Sequence, residues 1–179
     1  SMIPASIGST RLKFKNLALV NNKPLIYYAI KSSIDSKVFD KIVVNSDDAI
    51  FEKISKRYKV SFYNRPKRLG GNKIKSDDVV YDFLKKNKCN ILVWVNPIAP
   101  LQNPKDIKKI VKYFSSSNFT SLYTVIDKNV HALYDGKNLN FKKTIKFQQT
   151  QSLKPVTEMV YTLMMWKSED FKKNYEKFG

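Results

Sequence analysis

The sequence predicts an α/β protein, with a doubly wound, mostly parallel sheet and one hairpin excursion. Three observations lead there. Short β-branched or apolar runs alternate with segments whose apolar residues recur at helical spacing, the β-α-β-α order of crossover-connected strands. The purest run, Ile91-Leu92-Val93-Trp94-Val95, shows no polar alternation, as expected of a central parallel strand buried on both faces. From about residue 127 to 147 the rhythm breaks, and Tyr134-Asp135-Gly136-Lys137 supplies a hairpin turn.

The elements follow in order. Met2-Ile3-Pro4-Ala5 ends a short first strand, and a loop over residues 6–22 follows. Pro24 suits the first position of a helix carrying Leu25, Ile26, Ala29, Ile30 and Ile34. Residues 41–45 are β-branched and read as a strand, and Asp47 and Asp48 then suit the cap of a helix with Ile50, Phe51, Ile54 and Tyr58 inward. Val60 to Tyr63 reads as a strand, and Ser76 or Asp77 starts a helix with Val79, Val80, Phe83 and Leu84 inward. Pro104 opens a helix through Phe114, and Ser121 to Ile126 is a further strand. After the excursion, Val160 to Trp166 rejoins the sheet, and Ser168-Glu169-Asp170 caps a last helix. The expectation is one domain over residues 1–179, with 127–160 as an inserted hairpin and dimerisation segment.

Composition bounds the function. The 179 residues are 42% hydrophobic and 13% aromatic, which argues for a packed core and against disorder. No apolar run approaches the roughly 20 residues of a membrane helix. A single cysteine, Cys89, leaves no disulfide framework, and a single histidine, His131, leaves no His-pair zinc site. With no signal-peptide pattern, the expected compartment is the cytoplasm. The net charge of +18 invites a nucleic-acid reading, but 29 of the 33 basic residues are Lys, scattered over helices and loops. They read chiefly as solvated faces or composition bias, so nucleic acid is the weakest partner class.

The four arginines are placed more selectively. Arg11 falls in the loop after the first strand, Arg65 and Arg68 fall in the loop after the third, and only Arg57 lies on a helix. Ligands of such sheets bind at the carboxyl ends of the strands, and Arg suits bidentate phosphate contacts, although loop arginines can also be merely exposed. Loops 5–16 and 65–76 are therefore expected to converge on one cleft. The first loop, Ile3-Pro4-Ala5-Ser6-Ile7-Gly8-Ser9-Thr10-Arg11-Leu12-Lys13-Phe14-Lys15-Asn16-Leu17, is neither a Walker A loop nor a GxGxxG loop.

That loop resembles the opening I-P-A-R-x-G-S-x-R-x-P-x-K-N of the sugar-activating cytidylyltransferases. Residues 19–30, 39–48 and 97–101 are similar to the acylneuraminate (CMP-sialic acid synthetase) branch, and Thr150-Gln151-Ser152-Leu153-Lys154-Pro155-Val156 resembles its R-Q-x-L-P-P-x segment. The resemblance implies a nucleotide-diphospho-sugar transferase-like, Rossmann-like three-layer fold. It also implies cytidylyl transfer from CTP to a nonulosonic (sialic-acid-like) sugar, with release of pyrophosphate. Lys15 and Arg65 would carry the catalytic charge, and Ala5, Gly8, Ser9, Thr10, Arg11, Lys15, Asn16, Arg65 and Ser76 would bind the nucleotide. Asn96, where the family has Gln, and Gln102 would approach the sugar. Mg²⁺ is the implied cofactor and a homodimer built from residues 127–166 the implied assembly. For each polar residue the bland reading is a turn, cap or loop position; Ser76 could be only a helix N-cap.

The departures carry weight. The family Arg after Pro-Ala is Ser6 here, its usual Lys after Gly-Ser is Thr10, its loop Pro is Lys13, and its Arg before Gln-x-Leu is Thr150. The Asp-x-Asp pair that holds Mg²⁺ in the family has no counterpart in residues 1–179. Either it follows in a longer native chain or this is a shortened, degenerate member. The second hypothesis is accordingly a nucleotide-binding pseudoenzyme of the same fold. CTP binding is expected to be weak and turnover poor.

Overall fold

In a computed structural model, which describes residues 1–9, 12–71, 73–142 and 146–178, ten strands and five helices follow one another. The strands are β1 (Met2–Pro4), β2 (Leu19–Val20), β3 (Lys23–Pro24), β4 (Val43–Ser46), β5 (Ser61–Asn64), β6 (Ile91–Val95), β7 (Ser121–Lys128), β8 (Leu133–Tyr134), β9 (Lys137–Asn138) and β10 (Val156–Lys167). The helices are α1 (Leu25–Ser36), α2 (Ala49–Arg57), α3 (Ser76–Lys86), α4 (Pro104–Ser115) and α5 (Ser168–Phe178). Six strands form one sheet in the order β5-β4-β1-β6-β10-β7. The pairs β5–β4, β4–β1 and β1–β6 are parallel, and β10 runs antiparallel to β6 with Met164 opposite Trp94. The sheet is thus mostly parallel, with β6 central but paired antiparallel on one edge.

The period-2 pleat divides each buried strand between two cores. Ile3, Val44, Val93, Val95, Leu163 and Met165 face a layer made by Ile26, Ala29 and Ile30 of α1, Phe51 of α2, and Ile107, Val111 and Phe114 of α4. Met2, Val43, Leu92, Trp94, Met164 and Trp166 face the opposite layer, made by Val79, Val80, Phe83 and Leu84 of α3 with Phe171 of α5. Helices on both faces explain why the strands read as continuous apolar runs, because neither face meets water. The chain steps outward from β1 to β4 and β5, then returns to β6 on the other side of β1. This reversal puts a crevice beyond the carboxyl ends of β1 and β6, where the loops diverge.

Two compact units emerge: Ser1–Leu122 with Thr162–Gly179, and Tyr123–Tyr161. Within the second unit, β8 and β9 form the hairpin, with Asp135 at φ 49 and Gly136 at φ 71. Two consecutive left-handed residues are what a tight primed turn demands, and Asp-Gly supplies them cheaply. Asn129 Nδ2 donates to the Leu153 carbonyl and Thr157 Oγ1 to Asp127 Oδ1 within the same unit.

Several boundaries differ from the sequence reading. Pro24 is the N-cap of α1 rather than its first residue. The strand placed at Val60 begins at Ser61, and the strand placed at Val160 already begins at Val156. Residues 6–22, read as loop, contain a 3-10 turn, Lys15–Leu17, and the start of a hairpin, β2–β3, whose turn residues Asn21 and Asn22 have φ 46 and 58. Its two-residue strands are too short to leave a periodic signal.

Candidate functional site

A cleft of about 290 Å³ opens at the switch between β1 and β6. It is lined by Pro4, Ala5, Ser6, Gly8 and Ser9 after β1, by Lys15 and Asn16 of the 3-10 turn, by Arg65 after β5, and by Asn96, Pro97 and Ile98 after β6. Of the residues singled out from sequence, Ala5, Gly8, Ser9, Lys15, Asn16, Arg65 and Asn96 share this cleft. Thr10 and Arg11 lie outside the described residues.

The loop after β1 is pinned at its start and left open beyond it. Ala5 N donates to the Asn45 carbonyl at 2.9 Å, continuing the β1–β4 ladder by one bond. The amides of Ser6, Ile7, Gly8 and Ser9 then donate to no acceptor among the described residues. Amides left without a protein acceptor can donate to an anion. Phe14, at φ 54 and ψ 31, starts the 3-10 turn that carries Lys15 and Asn16. A bulky residue in the left-handed region is uncommon, and here it sits one residue before the cleft lysine. Asn16 is buried, donates Nδ2 to the Ser6 carbonyl at 3.1 Å, and keeps its Oδ1 without a partner.

Arg65 is 5% exposed and its charge is already engaged. Its Nη2 donates to Asp47 Oδ1 at 2.7 Å and to the Ala5 carbonyl at 3.1 Å, while its backbone N–H donates to the Ser46 carbonyl at 2.8 Å. The Nε is buried without a partner. The expectation that Asp47 caps a helix is therefore corrected. Asp48 alone caps α2, with Oδ1 accepting from Ile50 N at 2.8 Å, and Asp47 pairs with Arg65. Lys15 makes no ion pair among the described residues, so the one uncommitted cation lining the cleft there is Lys15.

Other expectations separate from the cleft. Of the described residues among 65–76, Arg65 alone lines it. Arg68 reaches the opposite layer, 3.9 Å from Asp82 of α3, and lines a different cavity with Tyr81 and Tyr175. Ser76 is the first residue of α3, exposed and outside the cleft lining; the N-cap is Lys75, and no side chain caps the helix. Gln102 also lies outside the lining, with a buried, unpartnered Oε1. Asn96 lines the cleft, and its Oδ1 accepts from Ile98 N at 3.4 Å.

The residues present do not fit a protein-held Mg²⁺. Such ions take hard oxygen donors, commonly one or two carboxylates. No carboxylate lines the cleft, the nearby Asp47 is neutralised by Arg65, and no group of three or more His, Cys, Asp or Glu converges among the described residues. Nor is any helix among the described residues long and apolar enough to cross a membrane.

An N-acylneuraminate cytidylyltransferase of Streptococcus agalactiae serotype V is 29% identical over 133 residues, covering 73% of this chain and 32% of that protein. A Helicobacter pylori protein named pseudaminic acid cytidylyltransferase and UDP-2,4-diacetamido-2,4,6-trideoxy-beta-L-altropyranose hydrolase is 26% identical over 182 residues, covering 96% of this chain and 35% of that one. The matched region is thus about a third of either relative's length. Among solved structures, a CMP:2-keto-3-deoxy-manno-octonic acid synthetase complexed with CTP superposes with a TM-score of 0.72 at 15% identity, over 99% of this chain and 77% of that one, a likeness of fold. The family model for cytidylyltransferases matches residues 1–162, and the chain belongs to that family.

Proposed function

We propose that the cleft binds the triphosphate of CTP and that the protein transfers the cytidylyl group to a nonulosonic, sialic-acid-like sugar, releasing pyrophosphate. The observation that carries this reading is the run of four amides, Ser6 to Ser9, that find no acceptor among the described residues, beside Lys15, which makes no ion pair among them. Preorganised N–H donors and one cation suit an oxygen-rich anion whose charge grows during phosphoryl transfer. The relatives' names support cytidine as the base and a nine-carbon acid as the acceptor. In this reading the sugar hydroxyl attacks the α-phosphorus and gives up its proton to solvent, and the bond from the α-phosphorus to the departing pyrophosphate breaks. Lys15 and the loop amides hold the leaving phosphates in line, and Asn96 borders the acceptor.

A second reading, nucleotide binding without turnover, is favoured by one specific feature. The Arg65 charge is spent on Asp47, and the cleft lining holds no carboxylate to share a metal. Isothermal titration with CTP followed by pyrophosphate release over a panel of nonulosonic acids separates the two. Release at rates near the enzyme median of about 10 per second supports transfer. Binding without release supports the second reading, and no binding at millimolar CTP rejects both.

We also propose a homodimer through the 127–166 region. The motive is the large apolar side chains Leu133, Tyr134, Leu139, Phe147 and Met159, all exposed in the Tyr123–Tyr161 unit. Light scattering at micromolar concentration is expected to give twice 20.8 kDa, and a monomer alone rejects it.

A further inference from the structure

Resting on the nucleotide reading above, we propose that Asp47 is a positioning residue. Its carboxylate clamps the Arg65 guanidinium against the Ala5 carbonyl and so holds the amide-bearing loop open, and Gly70 is glycine because that carboxylate occupies the place of a β-carbon. Three loops meet at this point. Asp47 follows β4, Arg65 and Gly70 follow β5, and Ala5 follows β1. Arg65 Nη2 spans the gap, 2.7 Å from Asp47 Oδ1 and 3.1 Å from the Ala5 oxygen. Ala5 is the last residue before the four unpaired amides, so a shift of its carbonyl is passed directly to them.

The glycine makes the argument independent of the ion pair. Gly70 has φ −88 and ψ −12, a conformation open to any residue, so backbone freedom does not explain it. Space does. A β-carbon at Gly70 would lie 2.1 Å from Asp47 Oδ2, 2.5 Å from its Cγ and 2.8 Å from its Oδ1. The carboxylate is thus held from both sides, by the guanidinium and by the Gly70 backbone, and it can move only if one of them yields. Buried Arg65 would otherwise keep a charge with no counterion, which costs more than a surface pair gains.

The chain's four arginines provide the probe, because each contributes one Nε–H signal to a ¹⁵N spectrum. Arg65, with its Nε buried, should give a signal protected from solvent exchange, assigned by its loss in Arg65→Lys. Asp47→Ala and Gly70→Ala should each abolish that protection and weaken CTP binding, measured by titration, by about tenfold, the scale of one charged hydrogen bond. Asp47→Asn keeps an acceptor at Oδ1 but removes the counterion, and should fall between wild type and Asp47→Ala in both the protection and the affinity. Adding Gly70→Ala to Asp47→Ala should cost nothing further in affinity, because the carboxylate it would strike is gone. Far-UV circular dichroism checks that each variant folds, and Asp47→Asn carries the test should Gly70→Ala not fold. Protection and affinity unchanged in Asp47→Ala, or additive losses in the double variant, overturn the proposal. A wild-type chain that fails to bind CTP overturns the nucleotide reading alone, and the Arg65 signal then still decides the clamp.

Discussion

Asn16 clasps Ser6 across ten residues of chain. Its side-chain N–H donates to the Ser6 carbonyl at 3.1 Å, and both residues line the cleft. Asn16 itself is 5% exposed, and its Oδ1, without a partner among the described residues, is a buried acceptor that a ligand donor or a water can satisfy.

Lys15→Met is expected to weaken CTP binding by about 1.5–3 kcal/mol, the range for a hydrogen bond to a charged group. Lys15 is partly exposed and unpaired among the described residues, so stability should stay within about 0.5 kcal/mol of wild type. The variant should also show a shallower dependence of binding on salt, because one screened attraction is gone. Titration at two ionic strengths checks both.

Phe114→Ala should cost about 3–5 kcal/mol in urea-induced unfolding. The ring is fully buried in the layer formed with α1, where it packs with Ile30, Ile107 and Val111, and little can collapse into the space it leaves. An unfolding midpoint close to wild type would show that this core is loosely packed.

The two helix starts near the site differ in a measurable way. Asn103 Oδ1 accepts from Lys105 N at 2.9 Å and caps α4, so Asn103→Ala should lower stability by about 1 kcal/mol. Ser76 makes no cap bond, and Ser76→Ala should leave stability within about 0.5 kcal/mol. Denaturant titration of both variants checks the contrast.

Tyr63 links stability to alkaline pH. Desolvation, and then its hydrogen bond to Asp82 at 2.8 Å, push the phenol up from 10.0 to about 12. Below pH 10 the proton is kept in both states and the contribution is complete. Between pH 10 and about 12 the unfolded chain releases the proton while the folded one holds it, so stability falls through that window. Tyr63→Phe should flatten that fall relative to wild type, followed by unfolding midpoints at stepped pH, with tyrosinate absorbance reporting the titration.

Much of the fold was legible because its signals are local. The apolar run Ile91–Val95, the Pro104 helix start and the Asp135-Gly136 turn each encode their structure within a few residues. The short β2–β3 hairpin was not legible, because two-residue strands carry no period and Asn21-Asn22 reads equally well as loop. The antiparallel direction of β10 was also hidden, since an apolar strand buried on both faces looks the same read in either direction.

The site divides along the same line. The loop after the first strand, with Lys15 and Asn16, could be singled out through its resemblance to a family motif, because those residues lie within one short stretch. That Arg65 is paired, that Asp47 is its partner rather than a cap, and that Arg68 turns to the opposite layer emerges from the folded chain alone. The physical reason is sequence distance. Arg65 meets Asp47 across 18 residues and Ala5 across 60, and those meetings exist only once strand order has placed β5, β4 and β1 side by side.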